Sequence, residues 1–215
     1  MQPMRVLVTG GSGVLGRVTI PRLRAKGHDV LAPTHTELDL FDAAAVDHAV
    51  AGADAILHLA THLRTQDDGD RWREHDRLRA DTSRLLADAG LETDVGTFIQ
   101  PTVTFVYPDG AVDEDTPIES VPAHLESALV AERETLRFAD EGRTGIVLRL
   151  GFLYGPGTGQ AEPNDYYGAT LYVDDAGAAL VVALAVPSGV YNVCRDGERV
   201  SNARFKRVSG WRPTR

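Results

Sequence analysis

The first apolar run, Met4–Thr9 (MRVLVT), shows no alternation and carries β-branched residues, so it reads as a strand buried in a parallel sheet. Behind it, Val14–Ala25 sets Leu15, Val18 and Leu23 at helical spacing, and Gly27 stands where a C-cap belongs. The same alternation then repeats. Asp29–Ala32 predicts a second strand, and Asp42 caps a short helix over Ala43–Val50. Ala53–Leu59 (ADAILHL) predicts a third strand, and Arg71–Ala89 a long helix, charged early and leucine-rich late. Thr97–Val106, Gly145–Leu150, Thr170–Val173 and Val190–Val193 read as strands. His124–Asp140 reads as a helix with Leu125, Leu129 and Val130 on one face, and Asp175–Val186 as another. Ser201 is placed to cap a last short helix. Strands alternating with helices imply right-handed crossovers and a sheet covered on both faces. The expected fold is α/β, a doubly wound parallel sheet of the Rossmann kind with strand order 3-2-1-4-5-6. Residues 1–154 would form the dinucleotide-binding domain, and residues 155–215 the later elements with a reduced substrate-binding or lid region.

Between the first strand and the first helix lies VTGGSGVLGR, Val8–Arg17. Gly10 suits the tight turn, Gly13 a close approach to a pyrophosphate, and Gly16 close packing of helix on sheet. Ser12, Val14 and Leu15 fill the same turn and complete the expected cradle. An NAD site usually ends its second strand on a carboxylate that accepts from the ribose 2′-OH. Here that place falls near Thr34, which is not acidic; Arg17 can reach a 2′-phosphate and His35 can donate to it. The expected cofactor is therefore NADP. The alternative is a solvated Arg17 and a site that takes either dinucleotide.

TGGSGVLG resembles the cofactor loop of the extended short-chain dehydrogenase/reductases, the NAD-dependent epimerase/dehydratase family. The resemblance continues along the chain. LDLFD (Leu38–Asp42) is similar to the family's adenine-contacting segment, which implies a place beside the adenine for Asp39 and Leu40. DAILHLA (Asp54–Ala60) is similar to its third strand, which implies that Leu59, Ala60 and Thr61 line the cofactor. RLGFLYGPG (Arg149–Gly157) is similar to the stretch beside the nicotinamide, which implies Gly151, Phe152 and Leu153 there. YVDDAGAAL, GVYNV and SNARFKRVSGWRP are similar to the family's later elements.

Members of that family move a proton with a tyrosine, a lysine four residues later and a strand-end Ser or Thr. None stands in place here. The only lysines are Lys26 and Lys206, and none of the six tyrosines has a lysine four residues on. Matching the helix on Glu132 puts His124 at the tyrosine place and Ala128 at the lysine place. TVTFVYP resembles the family's SSxxVYG strand end, with Val103 at the Ser/Thr place between Thr102, counted with the cofactor-lining residues, and Thr104. His124 is a candidate acid because histidine titrates near neutrality. Thr104 is a candidate donor to a substrate oxygen. A third route needs no protein acid: a phenol or enol beside the substrate ketone supplies the proton, and the enzyme aligns the hydride. Triad-lacking ketoreductases of polyketide antibiotic pathways, of the simocyclinone type, fit the same description. The expectation is an NADPH-dependent ketoreductase acting on a bulky, polycyclic, polyketide-type ketone. The alternatives are a non-catalytic NAD(P)-binding sensor or scaffold and a sugar-nucleotide epimerase or dehydratase, the last disfavoured because those chemistries need the tyrosine.

Charge and composition narrow the class. A net charge of −9 disfavours a nucleic-acid partner. No apolar run is long enough to span a bilayer, and MQPMRVLVTG enters a strand at once without signal-peptide features. The single cysteine, Cys194, excludes an internal disulfide and suits a cytoplasmic location. His58, His62 and His75 lack metal-ligand spacing, so no metal is expected. Gln66–Asp70 (QDDGD) reads as a solvated bend. Gly155–Gly168, rich in glycine, reads as an irregular loop at the substrate side and a candidate lid.

Overall fold

The computed structural model describes residues 2–61, 69–164 and 168–215. The main sheet holds six strands: β1 (Arg5–Thr9), β2 (Asp29–Leu31), β3 (Ala55–His58), β4 (Thr97–Val103), β5 (Thr144–Leu150) and β8 (Gly189–Val193). All pair in parallel, in the order β2-β1-β3-β4-β5-β8. Two further strands, β6 (Phe152–Tyr154) and β7 (Thr170–Tyr172), form a small parallel pair of their own. The helices are α1 (Val14–Ala25), α2 (Ala43–Val50), α3 (Gly69–Leu91), α4 (Glu126–Asp140), α5 (Val173–Ala183) and α6 (Ala203–Ser209).

The sheet is doubly wound, as the alternation predicts. Val6, Val8, Leu57, Ile99, Ile146 and Leu148 of the strands meet α1 and α5 on one face. Leu7, Ile56 and Phe98 meet α2, α3 and α4 on the other. The expected strand order is corrected. The third strand of the chain lies between β1 and β4, not outside β2. Burial explains this: β3 is buried at every position and needs a neighbour on each side, whereas β2 is short, partly exposed and suited to an edge.

Several boundaries also move. β4 ends at Val103, and Thr104–Val106 turn as a 3-10 segment. Ala123–Leu125 form another 3-10 turn, so His124 precedes α4. Thr170–Tyr172 leave the main sheet to pair with β6, and Gly151 permits it: a Cβ there would lie 2.7 Å from the Thr170 carbonyl carbon. Asn202 takes the N-cap position of α6 without a side-chain bond, and Ser201 caps from one residue earlier, its Oγ accepting from the Ala203 N–H at 3.4 Å.

In the candidate lid, the Gly155 N–H donates to the Gln160 carbonyl at 2.7 Å, and the Thr158 hydroxyl donates to the Gly155 carbonyl at 2.8 Å. Residues 165–167 of that loop, His62 and most of the Gln66–Asp70 bend lie outside the described residues. Among the described residues, no helix is long and apolar enough to cross a membrane, and no three His, Cys, Asp or Glu side chains are grouped to hold a metal ion.

Candidate functional site

The C-terminal ends of the parallel strands bring the glycine turn, the β3 end and the β4 end to one edge of the sheet, the usual ligand crevice of such folds. Gly10 has φ +71°, and a Cβ on it would lie 2.5 Å from the Ala60 nitrogen. A Cβ on Gly16 would lie 2.3 Å from the Gly11 carbonyl oxygen. Both positions therefore admit only glycine. The Gly13 N–H closes the turn on the Gly10 carbonyl at 3.0 Å, and Gly13 is the N-cap of α1 without any capping side chain. The first-turn N–H groups of α1 stay available, and no acidic residue stands among them. Such a glycine cradle at a bare helix N-terminus fits a pyrophosphate. Ser12 is exposed and holds the Arg17 Nε on its carbonyl at 2.9 Å; Val14 and Leu15 are half-buried. Leu59 and Ala60 run against Gly10, and Thr61 is exposed beyond them.

At the end of β2 the structure corrects one premise. A carboxylate does stand at Thr34. Glu37 folds back so that its Oε2 accepts from the Thr34 N–H at 2.8 Å and from the Thr34 hydroxyl at 2.9 Å. These bonds draw the Glu37 carboxyl below its ordinary pKa. Thr34-x-x-Glu37 closes one turn with the carboxylate half of a capping box, a pattern readable in the sequence and missed there. His35 and Asp39 are exposed, Asp39 Oδ1 accepts from the Phe41 N–H at 2.9 Å, and Leu40 packs toward α2.

Among the described residues, the β4 end holds no family-type acid. Val103 is half-buried and Ala128 is fully buried. His124 is exposed on its 3-10 turn. Thr104 is sealed from solvent, and its hydroxyl has no hydrogen-bond partner, so no hydrogen bond joins the two candidate catalytic residues. Thr102 is engaged: its hydroxyl donates to Glu132 Oε1 at 2.8 Å. Phe152 packs on Phe105, with ring centroids 6.1 Å apart, and Leu153 is half-buried next to it. Of the described tyrosines, Tyr107 is held by Arg149, Tyr154 packs on Tyr172, and the Tyr191 hydroxyl donates to the Pro187 carbonyl. Tyr166 and Tyr167 lie outside the described residues.

Behind this edge are polar groups that the sequence does not reveal. Arg149 donates to both Glu132 oxygens, at 2.9 and 2.6 Å, and to the Tyr107 hydroxyl at 2.7 Å. Tyr107 in turn donates to Asn192. Burial works against the Arg149 charge, but hydrogen bonds and charge from Glu132, with Tyr107, outweigh it and raise its pKa. His58 ends β3 between two threonines. The Thr82 hydroxyl donates to the Leu78 carbonyl, so it accepts from His58 Nε2–H at 3.0 Å. The Thr9 hydroxyl then donates to His58 Nδ1 at 2.6 Å. Burial, with the Arg79 charge nearby, pushes the His58 pKa down to about 3, so the ring is neutral. Arg79 itself is buried between α3 and α4, donating to His75 Nε2 and to the Ser127 hydroxyl, whose own proton goes to Asp76.

A sequence model described as the NAD-dependent epimerase/dehydratase family matches residues 6–170. The chain belongs to that family. A curated member, the 3-diazoavenalumate denitrifying reductase of a Streptomyces species, is 32% identical over 233 aligned positions, covering 90% of this chain and 76% of that protein. Those aligned positions outnumber the 215 residues here, so that reductase carries residues with no counterpart in this chain. Among solved structures, a short-chain dehydrogenase/reductase superfamily protein from Agrobacterium tumefaciens with bound NAD superposes with a TM-score of 0.80 at 18% identity, covering 98% of this chain and 93% of that one. RMD from Pseudomonas aeruginosa complexed with NADPH superposes at 0.79 with 20% identity, covering 98% and 94%. These likenesses establish the parallel α/β fold, and the family is one of NAD(P)-dependent oxidoreductases.

Proposed function

We propose that this chain is an NAD(P)H-dependent reductase whose substrate needs no proton from the protein. The observation that carries the reading is a kept cofactor cradle beside an emptied acid site. Gly10 and Gly16 leave no room for a Cβ, while Ala128 and Val103 stand where the family's lysine and hydroxyl would be. When bound, the dinucleotide supplies a hydride. The chain's part is to hold the pyrophosphate on the Gly10–Gly16 turn, to close the nicotinamide end with Gly151, Phe152 and Leu153, and to exclude water.

Two substrate classes meet that condition. A polyketide-type polycyclic ketone with a neighbouring phenol or enol supplies its own proton. An aromatic diazonium is already cationic: accepting a hydride and losing N₂ leaves a neutral arene, with charge balanced and no proton required. The name of the Streptomyces relative favours the second class. Arg17 and the non-acidic Thr34 speak for NADP, and Glu37 speaks against it. A sensor or scaffold would bind the dinucleotide and leave it unchanged. The test is absorbance decay of NADH and NADPH with hydroxyaryl ketones, quinones and aryl diazonium salts. Oxidation with at least one class supports a reductase. Tight cofactor binding with no oxidation on any of them supports the sensor.

A further inference from the structure

We propose that Phe105 and Phe152 form the seat of the substrate, and that the group seated there is a flat aromatic ring system, not a sugar nucleotide; the inference rests on reading the chain as an NAD(P)H-dependent reductase. Phe105 lies in the 3-10 turn that directly follows β4, and Phe152 opens β6 two residues beyond the end of β5. β4 and β5 are neighbours, paired up to Val103 opposite Leu150, so the two phenylalanines meet over adjacent strand ends. Their ring centroids are 6.1 Å apart and their planes are tilted by 39°. Both rings are half-buried, at the C-terminal edge of the sheet where this fold binds its ligands.

The surroundings are apolar. Phe105 and Val103 pack with Val121 and Leu129 on the buried cluster of Val106, Leu125 and Ala128. The ground around the emptied acid site is therefore carbon. The described arginines around this edge are committed within the protein. Arg149 serves Glu132 and Tyr107, Arg79 serves His75 and Ser127, and Arg199 serves the Pro108 carbonyl. A sugar nucleotide brings a diphosphate that calls for uncommitted cationic donors. Two tilted rings offer something else. Their faces and edges suit a third ring stacked or edge-on at a centroid distance of about 4.5–7 Å. Their negative faces tolerate a neutral ring and attract a cationic one, which fits a hydroxyaryl ketone or an aryl diazonium.

The test is calorimetric titration of 2-naphthol, its saturated counterpart decahydro-2-naphthol and UDP-glucose into the protein loaded with NAD⁺ or NADP⁺, a complex that has no hydride to deliver. The wild type should bind 2-naphthol roughly fivefold or more tightly than the saturated alcohol, and UDP-glucose more weakly than either. Phe105→Leu and Phe152→Leu keep apolar bulk and remove the ring; each should weaken 2-naphthol roughly three- to tenfold, and Phe152→Tyr should retain it. Phe105→Leu should also keep dinucleotide affinity within about twofold of the wild type, which separates loss of the seat from loss of the fold. Absence of saturable 2-naphthol binding, an affinity unchanged in both leucine variants, or tighter binding of UDP-glucose than of 2-naphthol overturns the assignment. The reductase reading fails separately: ring-dependent binding of 2-naphthol, with no oxidation of NADH or NADPH by any hydroxyaryl ketone, quinone or diazonium salt, sinks the reductase and leaves the aromatic seat standing.

Discussion

Replacing Arg149 with methionine removes one half of a buried ion pair. Arg149 and Glu132 side chains are 8% and 7% exposed, so neither charge has water to fall back on. The substitution takes two hydrogen bonds from Glu132 and one from Tyr107. Glu132 keeps only the Thr102 hydroxyl as a hydrogen-bond donor, and the buried Arg79 is left as a more distant counter-charge. Breaking such a pair costs about 3–5 kcal/mol. For a chain of this size, roughly 2–4 °C of melting temperature goes with each kcal/mol, so the melt should fall by about 6–20 °C. Urea unfolding at neutral pH, read by circular dichroism and by tryptophan fluorescence, measures the loss. The double replacement Glu132→Met with Arg149→Met removes both charges and should recover at least about 2 kcal/mol, because apolar pairs commonly match buried ion pairs. A loss below about 1 kcal/mol in the single variant, or a double variant no better than the single, would refute the reasoning.

Gly10→Ala should abolish dinucleotide binding and destabilise the fold by about 2 kcal/mol or more, because its Cβ would lie 2.5 Å from the Ala60 nitrogen at a positive φ; normal affinity by calorimetry would contradict the cradle. The His58 ring should stay neutral from pH 8 to pH 5 in NMR titration, its pKa being pushed down to about 3. Its folded pKa lies below the unfolded value of about 6.5, so its contribution to stability is complete above pH 6.5 and is lost as the pH falls toward 3; a histidine signal from this site titrating near 6.5 would disprove it. Thr104→Val replaces an unpartnered buried hydroxyl by an equal-sized apolar group and should leave stability unchanged or raise it by about 1 kcal/mol. If it instead costs more than about 1 kcal/mol in thermal melts, the hydroxyl has a partner.

Local chemistry was legible where one segment decides it. The Val8–Arg17 turn, the Asp42 cap and the run of strands and helices all follow from neighbouring residues, and the Asp42 carboxylate does accept from Ala44 and Ala45 N–H groups. Strand order was not legible, because periodicity does not say which neighbour a strand takes. The exposed Asp29–Leu31 edge against the fully buried Ala55–His58 decides it only in three dimensions. Glu37 was legible in principle from Thr34-x-x-Glu37, but counting for an acid at Thr34 alone overlooked a side chain that folds back three residues. Arg79 and Arg149 were not legible as buried cations. A charge in a helix or strand pattern reads as solvent-facing until Ser127 of α4, or Glu132 and Tyr107, are seen to meet it.

Hydride transfer without a protein acid is tested most directly with NADH and NADPH carrying deuterium at the transferable position. The purified protein is incubated with an aryl diazonium salt or a hydroxyaryl ketone, and the organic product is weighed by mass spectrometry. A reductase of the proposed kind places one deuterium on carbon in the product for each dinucleotide oxidised, and His124→Ala leaves the rate within about twofold, far short of the 10²–10⁴-fold expected on losing a general acid. A dinucleotide that binds yet keeps its deuterium with both substrate classes contradicts the reductase, and a rate that collapses in His124→Ala contradicts the claim that the protein supplies no proton.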